Sequence, residues 1–485
     1  MLFNSYVFIF LFLPVTLIVF HSLLRRGLHR SATVALALAS LVFYGWWSIK
    51  ALCLLLVLMA GNYFVVWSLL RTRRWHLRPW LLTTGIVSNL AVLGYFKYAN
   101  FFLETWGNLS GNHVGFIEVA LPLGLSFFTF QKIALLVDAY KGRVRHFDPL
   151  DYVLFVGFFP QLIAGPIVHH SEVMPQFGRL NSVRMIDFGQ GLTLFVIGLS
   201  KKVLIADTIA HFSNPIYDAA ALGMLPSCTD AWIATLAYAL QLYFDFSGYS
   251  DMAIGLGLLF GIRLPVNFES PYQASNIVDF WRRWHMTLSR FLRDYLYIPL
   301  GGNQRGQLRR YGNLLITMLL GGLWHGAAWT FVVWGVLHGI FLTINHLWSK
   351  LQLRTGVEVY SSPTTRVVAK ALTFVAVLIA WVFFRAANLE TAGRMLSAMM
   401  FGSNTAIMTD VTAAVTLIAV LLAIVWFAPN SSQLAAYTFD KKPMAGVQGW
   451  PHWSRSPRWA AVCGVLLALC LMSLTRVTEF LYFQF

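Results

Sequence analysis

The first group in this chain that can do chemistry is an imidazole. His325 stands in the run Gly322-Leu323-Trp324-His325-Gly326, inside one of the most apolar stretches of the sequence, Leu314 to Leu347. An ionisable side chain at membrane depth is costly to keep and usually lines a cavity or a transport path. Imidazole titrates near neutral pH, so one such group can take a proton from a hydroxyl and return it to a leaving group. Gly321, Gly322 and Gly326 remove side chains from both sides, so another backbone or a substrate can come close, and Trp324 supplies a flat wall.

His338 and His285 are the candidate partners. On a straight helix the offset from His325 to His338 is about 20 Å along the axis and turns to nearly the opposite face. Those two share a site only if the segment is broken. His285 must come from another element, which makes it the better candidate. Around it, Trp281, Trp284, Leu288, Leu292 and Tyr295 recur at helical steps, so the spacing predicts one amphipathic helix over 276–297. Asn276 is its expected start and Pro299-Leu300-Gly301-Gly302 its end. Asp279 is expected to pair with Arg283, and Arg290 with Asp294. Arg282, His285 and Ser289 form a polar face that can lie in the interface or border a reaction chamber.

Other polar groups in apolar surroundings read as structural. Asp245 and Asp251 point to different sides of a helix, and buried carboxylates pair with Arg, Lys or a hydroxyl. Lys201 and Lys202 at a span end are expected to snorkel toward the headgroups. Ser126, Gln131 and Asp138 read as links between helices. The four cysteines, Cys53, Cys228, Cys463 and Cys470, lack metal spacing and read as small buried hydrophobes. No phosphate loop, dinucleotide fingerprint, zinc-type histidine pair or serine elbow stands out. Chemistry here must use a histidine base on groups that substrates bring, with no metal and no permanently bound cofactor.

The elements that must position these groups are membrane helices. The 485 residues are 58% hydrophobic and 12% charged, with a mean hydropathy of +0.63. A soluble domain would carry about twice that charged fraction. Apolar runs recur at 5–24, 33–49, 52–70, 80–96, 115–137, 150–168, 187–206, 229–261, 313–347, 367–385, 411–428 and 459–475. The fold class is therefore an all-α polytopic membrane protein of roughly eleven transmembrane helices, with re-entrant and amphipathic pieces. The first run lacks the flanks of a cleaved signal and is expected to be a retained span. The whole chain, 1–485, reads as one integral membrane domain with its motif-bearing core at about 90–350. The net charge of +16 is not a nucleic-acid signal. Arg25, Arg26 and Arg30, then Arg71, Arg73, Arg74 and Arg78, then Lys141, Arg143 and Arg145 fill alternate loops. This places the N-terminus outside and those loops in the cytoplasm, against membrane lipids.

Three runs in order carry a family resemblance: Phe280-Trp-Arg-Arg-Trp-His285, Leu292-Arg-Asp-Tyr-Leu-Tyr-Ile298 with Gly301-Gly-Asn303, and Gly321-Gly-Leu-Trp-His325-Gly326. They resemble the signature of the membrane-bound O-acyltransferase superfamily, in the bacterial branch that includes the alginate O-acetyltransferase membrane subunit. Gly94 to Asn100, Leu121 to Phe127, Leu162 to Pro166, Gln241 to Met252, Trp381 to Arg385 and Phe480 to Phe485 agree in order, so the resemblance covers nearly the whole chain.

The resemblance implies helices around a thinned membrane centre and a tunnel joining a cytoplasmic donor to an external acceptor. It places the characteristic histidine on His325 and the second motif histidine on His285. It implies O-acetylation of an exported polysaccharide of the alginate or cellulose type, at the bacterial inner membrane, with acetyl-CoA as donor and a periplasmic serine esterase-like partner. Peptidoglycan O-acetylation and teichoic acid D-alanylation are the alternatives on the same fold, and a non-enzymatic transporter is the rival class. Donor phosphates need cations, for which Arg305, Arg309 and Arg310 are the expected set, although such residues also serve topology and lipid contact. A sugar polymer would have to shed its hydration to reach a buried imidazole. A relay through a partner serine is therefore expected, with Phe480 to Phe485 as part of the docking surface.

Overall fold

The computed structural model describes residues 1–112, 115–180, 185–355, 362–403, 406–408, 410–440, 450, 453–474 and 481. Within them the regular structure is helical. The elements used below are α1 (Phe8–Arg25), α2 (His29–Gly45), α3 (Ile49–Arg71), α4 (Leu77–Ser110), α5 (Leu125–Tyr140), α6 (Pro149–Gly157), α7 (His170–Phe177) and α8 (Met185–Ser200). They continue as α9 (Asp207–Ala221), α10 (Cys228–Leu259), α11 (Ile277–Arg283), α12 (Met286–Leu292), α13 (Gln307–His325), α14 (Trp329–Thr355) and α15 (Pro363–Arg385). The last are α16 (Leu389–Met400), α17 (Val411–Phe427) and α18 (Pro457–Ser473).

Five helices, α1, α3, α4, α14 and α15, are long and apolar enough to cross a bilayer by themselves, and α17 and α18 are shorter apolar helices. The expected set of about eleven regular spans differs in two instructive places. The run 150–168 is a nine-residue helix, a turn at Phe159–Leu162, and then irregular chain. Nine residues rise only about 14 Å, half of the hydrocarbon thickness. Pro160, Gly165 and Pro166 prevent continuation. The irregular stretch is buried in protein, and its amides find internal partners: Phe159 donates to Ser40 Oγ and Ile167 to Thr287 Oγ1. The run 115–137 is helical only from Leu125, after Gly124 at φ +73°.

The centre is α10, 32 residues long and almost wholly buried. Gly248 and Gly255 on α10 lie against Gly198 and Gly191 on α8. A methyl group on Gly198 would fall 2.5 Å from the Gly248 carbonyl oxygen, and one on Gly255 equally close to that of Gly191. Small residues let membrane helices approach this closely. Beyond that contact, Lys201 Nζ meets Asp251 at 2.7 Å, and Lys202 Nζ meets Asp207 and Asp245 at 2.8 and 2.7 Å. The two aspartates are paired, as buried carboxylates must be. The two lysines do not snorkel: these carboxylates take their ammonium groups, and the Lys202 side chain is 1% exposed. Of the segment Phe480 to Phe485, only Leu481 lies among the described residues. It is buried and donates its N–H to Asp245. Among the cysteines only Cys470 is buried, whereas Cys53 and Cys228 are exposed.

The basic loops gather at one end. Arg78 donates to the Tyr140 carbonyl, Arg30 lies 3.6 Å from Asp148, and Arg143 reaches Asp138 at 3.2 Å. At the other end Tyr44 donates to the Leu123 carbonyl. In a chain with its own cysteines replaced, new cysteines at Arg26, Arg74 and Arg143 should resist an impermeant maleimide on intact spheroplasts and react after permeabilisation. Labelling before permeabilisation would reverse the assigned orientation.

Candidate active site

His285 does not sit in the middle of a helix. The predicted helix over 276–297 starts as expected, with the Asn276 side chain accepting from Asp279 N–H, but breaks between α11 and α12. His285 occupies the break in the left-handed region, φ 42° and ψ 53°. For a residue with a Cβ this conformation costs about 1–3 kcal/mol and persists only where the surroundings over-determine it. Asn267 does so. Its backbone C=O accepts from Met286 N–H, and its side-chain oxygen accepts from Thr287 N–H and Oγ1–H. The same oxygen lies 3.1 Å from His285 Nδ1. An oxygen that receives backbone N–H bonds is an acceptor, so Nδ1 carries the proton and Nε2 keeps its lone pair.

The expected pairing of Asp279 with Arg283 is present, at 2.8 Å. The pairing of Arg290 with Asp294 is not. Arg290 makes a bidentate contact with Glu172 at 2.5 and 2.8 Å, and Asp294 takes Arg293. The α-helix stops at Leu292 and a π-helical turn, Arg293–Tyr297, takes Asp294 out of the α-helical register with Arg290, which turns to Glu172 on α7 instead.

The long run 313–347 is likewise two helices. α13 ends at His325, and the chain reverses through Gly326, Ala327 and Ala328 into α14. Gly322 faces Gly335, and a methyl group on Gly322 would lie 2.2 Å from the Phe331 carbonyl oxygen. The glycines thus admit a neighbouring backbone. The hairpin also brings His338 back toward His325, which a straight helix would have kept apart.

The three histidines form an aromatic-walled cluster. The His285 and His325 ring centroids are 6.5 Å apart, a separation that one hydroxyl group or water can bridge. His325 is packed by Trp324, Trp334 and Phe384 at 4.9, 5.0 and 5.1 Å. Trp324 stacks on Phe130, which stacks on Phe291. His338 lies 4.7 Å from Trp334 and accepts from Trp281 Nε1 at 3.3 Å. His338 is therefore held in the wall of the site, behind Trp334. Among the described residues no three metal-ligating side chains come together.

Two cavities flank this cluster. One of 640 Å³ is lined by Trp281, Arg282, Thr287, Ser289, Arg290, Arg293 and His346, among others. It belongs to the basic end, since Tyr295 next to it donates to Asp138, the partner of Arg143. Arg310 contacts His346 Nδ1 at 2.9 Å and so adjoins this cavity, whereas Arg305 and Arg309 are exposed and do not line it. The second cavity, of 70 Å³, is lined by Lys97, Leu121 to Phe127, Ile163, Trp324 and His325. It belongs to the opposite end, where Leu123 meets Tyr44. His325 reaches the small cavity. His285 is fully buried, tied through Asn267 to Thr287 on the wall of the large one.

The family model described as "MBOAT, membrane-bound O-acyltransferase family" matches residues 37–391, which include both helix breaks and all three histidines. The chain belongs to the membrane-bound O-acyltransferase family. It is 46% identical over 429 residues to a peptidoglycan O-acetyltransferase of Helicobacter pylori, covering 82% of this chain and 80% of that one. It is 40% identical over 507 residues to a probable alginate O-acetylase AlgI of Pseudomonas putida, covering both chains fully. A teichoic acid D-alanyltransferase of Streptococcus thermophilus is 28% identical over 47% of this chain and 57% of its own. The protein is thus an acyltransferase of the bacterial inner membrane, which overturns the transporter alternative.

Sequence reasoning missed Asn267 and Trp334, which carry no signal as isolated residues, and met Phe384 only as part of the run Trp381 to Arg385. Lys97 entered it only within the run Gly94 to Asn100. The close fit of α13 on α14 makes a clear test. Gly322→Ala should lower both membrane abundance and activity severalfold, while Gly312→Ala, with nothing within 4 Å of the added methyl, should behave as wild type. Immunoblot of membranes alongside glycan acetyl content reads both, and an active, abundant Gly322→Ala protein would contradict the packing.

Proposed function

We propose that this acyltransferase moves an acetyl group from acetyl-CoA on the cytoplasmic side to a serine of a periplasmic partner, for O-acetylation of an exported polysaccharide. The observation that carries this reading is the position of the histidine pair between an arginine-lined cavity and a small cavity at the opposite end. The acyl group then passes beside His325, while donor and acceptor stay on their own sides.

The chemistry follows from the residues. His325 takes the proton of the serine hydroxyl as its oxygen attacks the thioester carbon. The C–S bond breaks, and the imidazolium returns the proton to the thiolate that leaves. His285 presents an unprotonated Nε2 because Asn267 engages its other nitrogen, so it suits orienting the reacting group better than polarising the carbonyl. Arg282 and Arg310, with the exposed Arg305 and Arg309, supply cations for the donor phosphates. The polysaccharide acceptor draws on the full-length likeness to the alginate O-acetylases. Peptidoglycan is the second reading, favoured by the 46% identity to the Helicobacter pylori relative.

His325→Ala should abolish acetylation at normal membrane abundance, and acetyl-CoA with wild-type membranes should leave an acetyl-serine on the partner that the variant lacks. A well-expressed variant with near-normal acetylation would remove His325 from the reaction. Should the purified chain alone acetylate oligosaccharide as fast as the whole system, direct transfer replaces the relay.

Neutralising Arg305, Arg309 and Arg310 together should raise the donor concentration for half-maximal rate roughly tenfold, the loss of about one charge-assisted hydrogen bond. Turnover at saturating donor should hold. A fall in saturating turnover at unchanged donor affinity would take the three residues off the phosphates.

A further inference from the structure

The last carbonyls of α13 are those of the turn that carries His325. A helix leaves its final C=O groups without intrahelical partners, and they form the negative end of its dipole. Here they are met from α4. Tyr98 Oη–H donates to the Leu323 carbonyl at 2.7 Å, and Lys97 Nζ donates to those of Trp324 and His325 at 2.6 and 3.0 Å. The donors sit at the end of a π-helical turn, Gly94–Tyr98, that interrupts the long α4. Such wider turns recur at functional sites.

A simple stop does not need a lysine. Backbone N–H groups after a glycine satisfy many helix ends, and an ammonium group in a membrane bundle is costly. Lys97 also lines the small cavity together with Trp324 and His325. Its ammonium has three donors, two of which hold the peptide oxygens on either side of the His325 Cα.

We propose that Lys97 is a positioning residue for acyl transfer, fixing the backbone of Trp324 and His325 so that the imidazole meets the attacking hydroxyl at the small cavity. This rests on the reading of His325 as the base. Displacing a reacting group by about 1 Å costs on the order of 10²-fold in rate. Lys97→Met keeps the length of the side chain and removes all three donors. Lys97→Arg keeps donors and charge.

The test uses inside-out membrane vesicles from the producing cells, with the partner in place and labelled acetyl-CoA as donor. Turnover is expressed per folded chain and compared with the KM for donor and the thermal midpoint. Lys97→Met should lose about 10²-fold in kcat with KM and thermal midpoint little changed, and Lys97→Arg should recover at least a tenth of wild-type turnover. Normal turnover in Lys97→Met overturns the proposal. So does a Lys97→Met chain that fails to fold while the folded Lys97→Arg chain turns over like wild type, because the lysine is then a structural cap alone. His325→Ala runs beside them. If it stays active, the reading of the base has failed. If it is inactive while Lys97→Met is fully active, only the role of Lys97 has failed.

Discussion

A polypeptide inside a bilayer has no water to bond its amides and carbonyls, so any departure from the helix must be sealed by the protein itself. The chain departs from the helix at the points that matter most. At His285 the seal is Asn267, which accepts from Met286, Thr287 and the imidazole and so holds the ring and the backbone together. At His325 the seal is Lys97 and Tyr98 on the last carbonyls of α13. Along 158–168 it is Ser40, Thr287 and the chain's own turns. Each break would be unaffordable alone and is stable because another element completes it.

These breaks are also what bring the imidazoles together. An unbroken helix over 276–297 would place His285 as one residue on a stripe, and an unbroken 313–347 would carry His338 far from His325. Once both are interrupted, three histidines share one aromatic enclosure of Trp324, Trp334, Trp281 and Phe384. Rings of this size fill the space between helices and leave little room for water beside the imidazoles, while Gly322 and Gly335 let α13 and α14 approach closely enough to close the wall.

The scaffold around this enclosure is held by a second kind of constraint. Lys201 and Lys202 lie beside each other in sequence but reach different aspartates of α10. Breaking a buried pair leaves a charge without compensation, at about 3–5 kcal/mol, so these contacts set how α8, α9 and α10 sit together. The glycine contacts between α8 and α10 bring the backbones to the distance at which those lysines reach. The asymmetry of the two cavities follows from the same frame: guanidinium groups line the roomy side and mainly apolar residues the narrow one.

Much was legible in the sequence, because composition and charge alternation act on whole segments and do not depend on how they pack. The membrane class, the basic loops that gather at one end, the nearness of His285 to His325, and the pairing of Asp245 and Asp251 all came from residue types and local spacing. The preference for His285 over His338 as the neighbour of His325 rested on helix geometry. What only the tertiary structure decided were the helix breaks and everything placed by them. No glycine or proline marks the break at His285. It forms because Asn267, eighteen positions earlier in the chain, offers the exposed amides better bonds than a continuous helix would. The fate of Lys201, Lys202 and Lys97 was hidden for the same reason. A lysine near a span end can reach water or a buried acceptor, and which lies closer is set by residues distant in sequence.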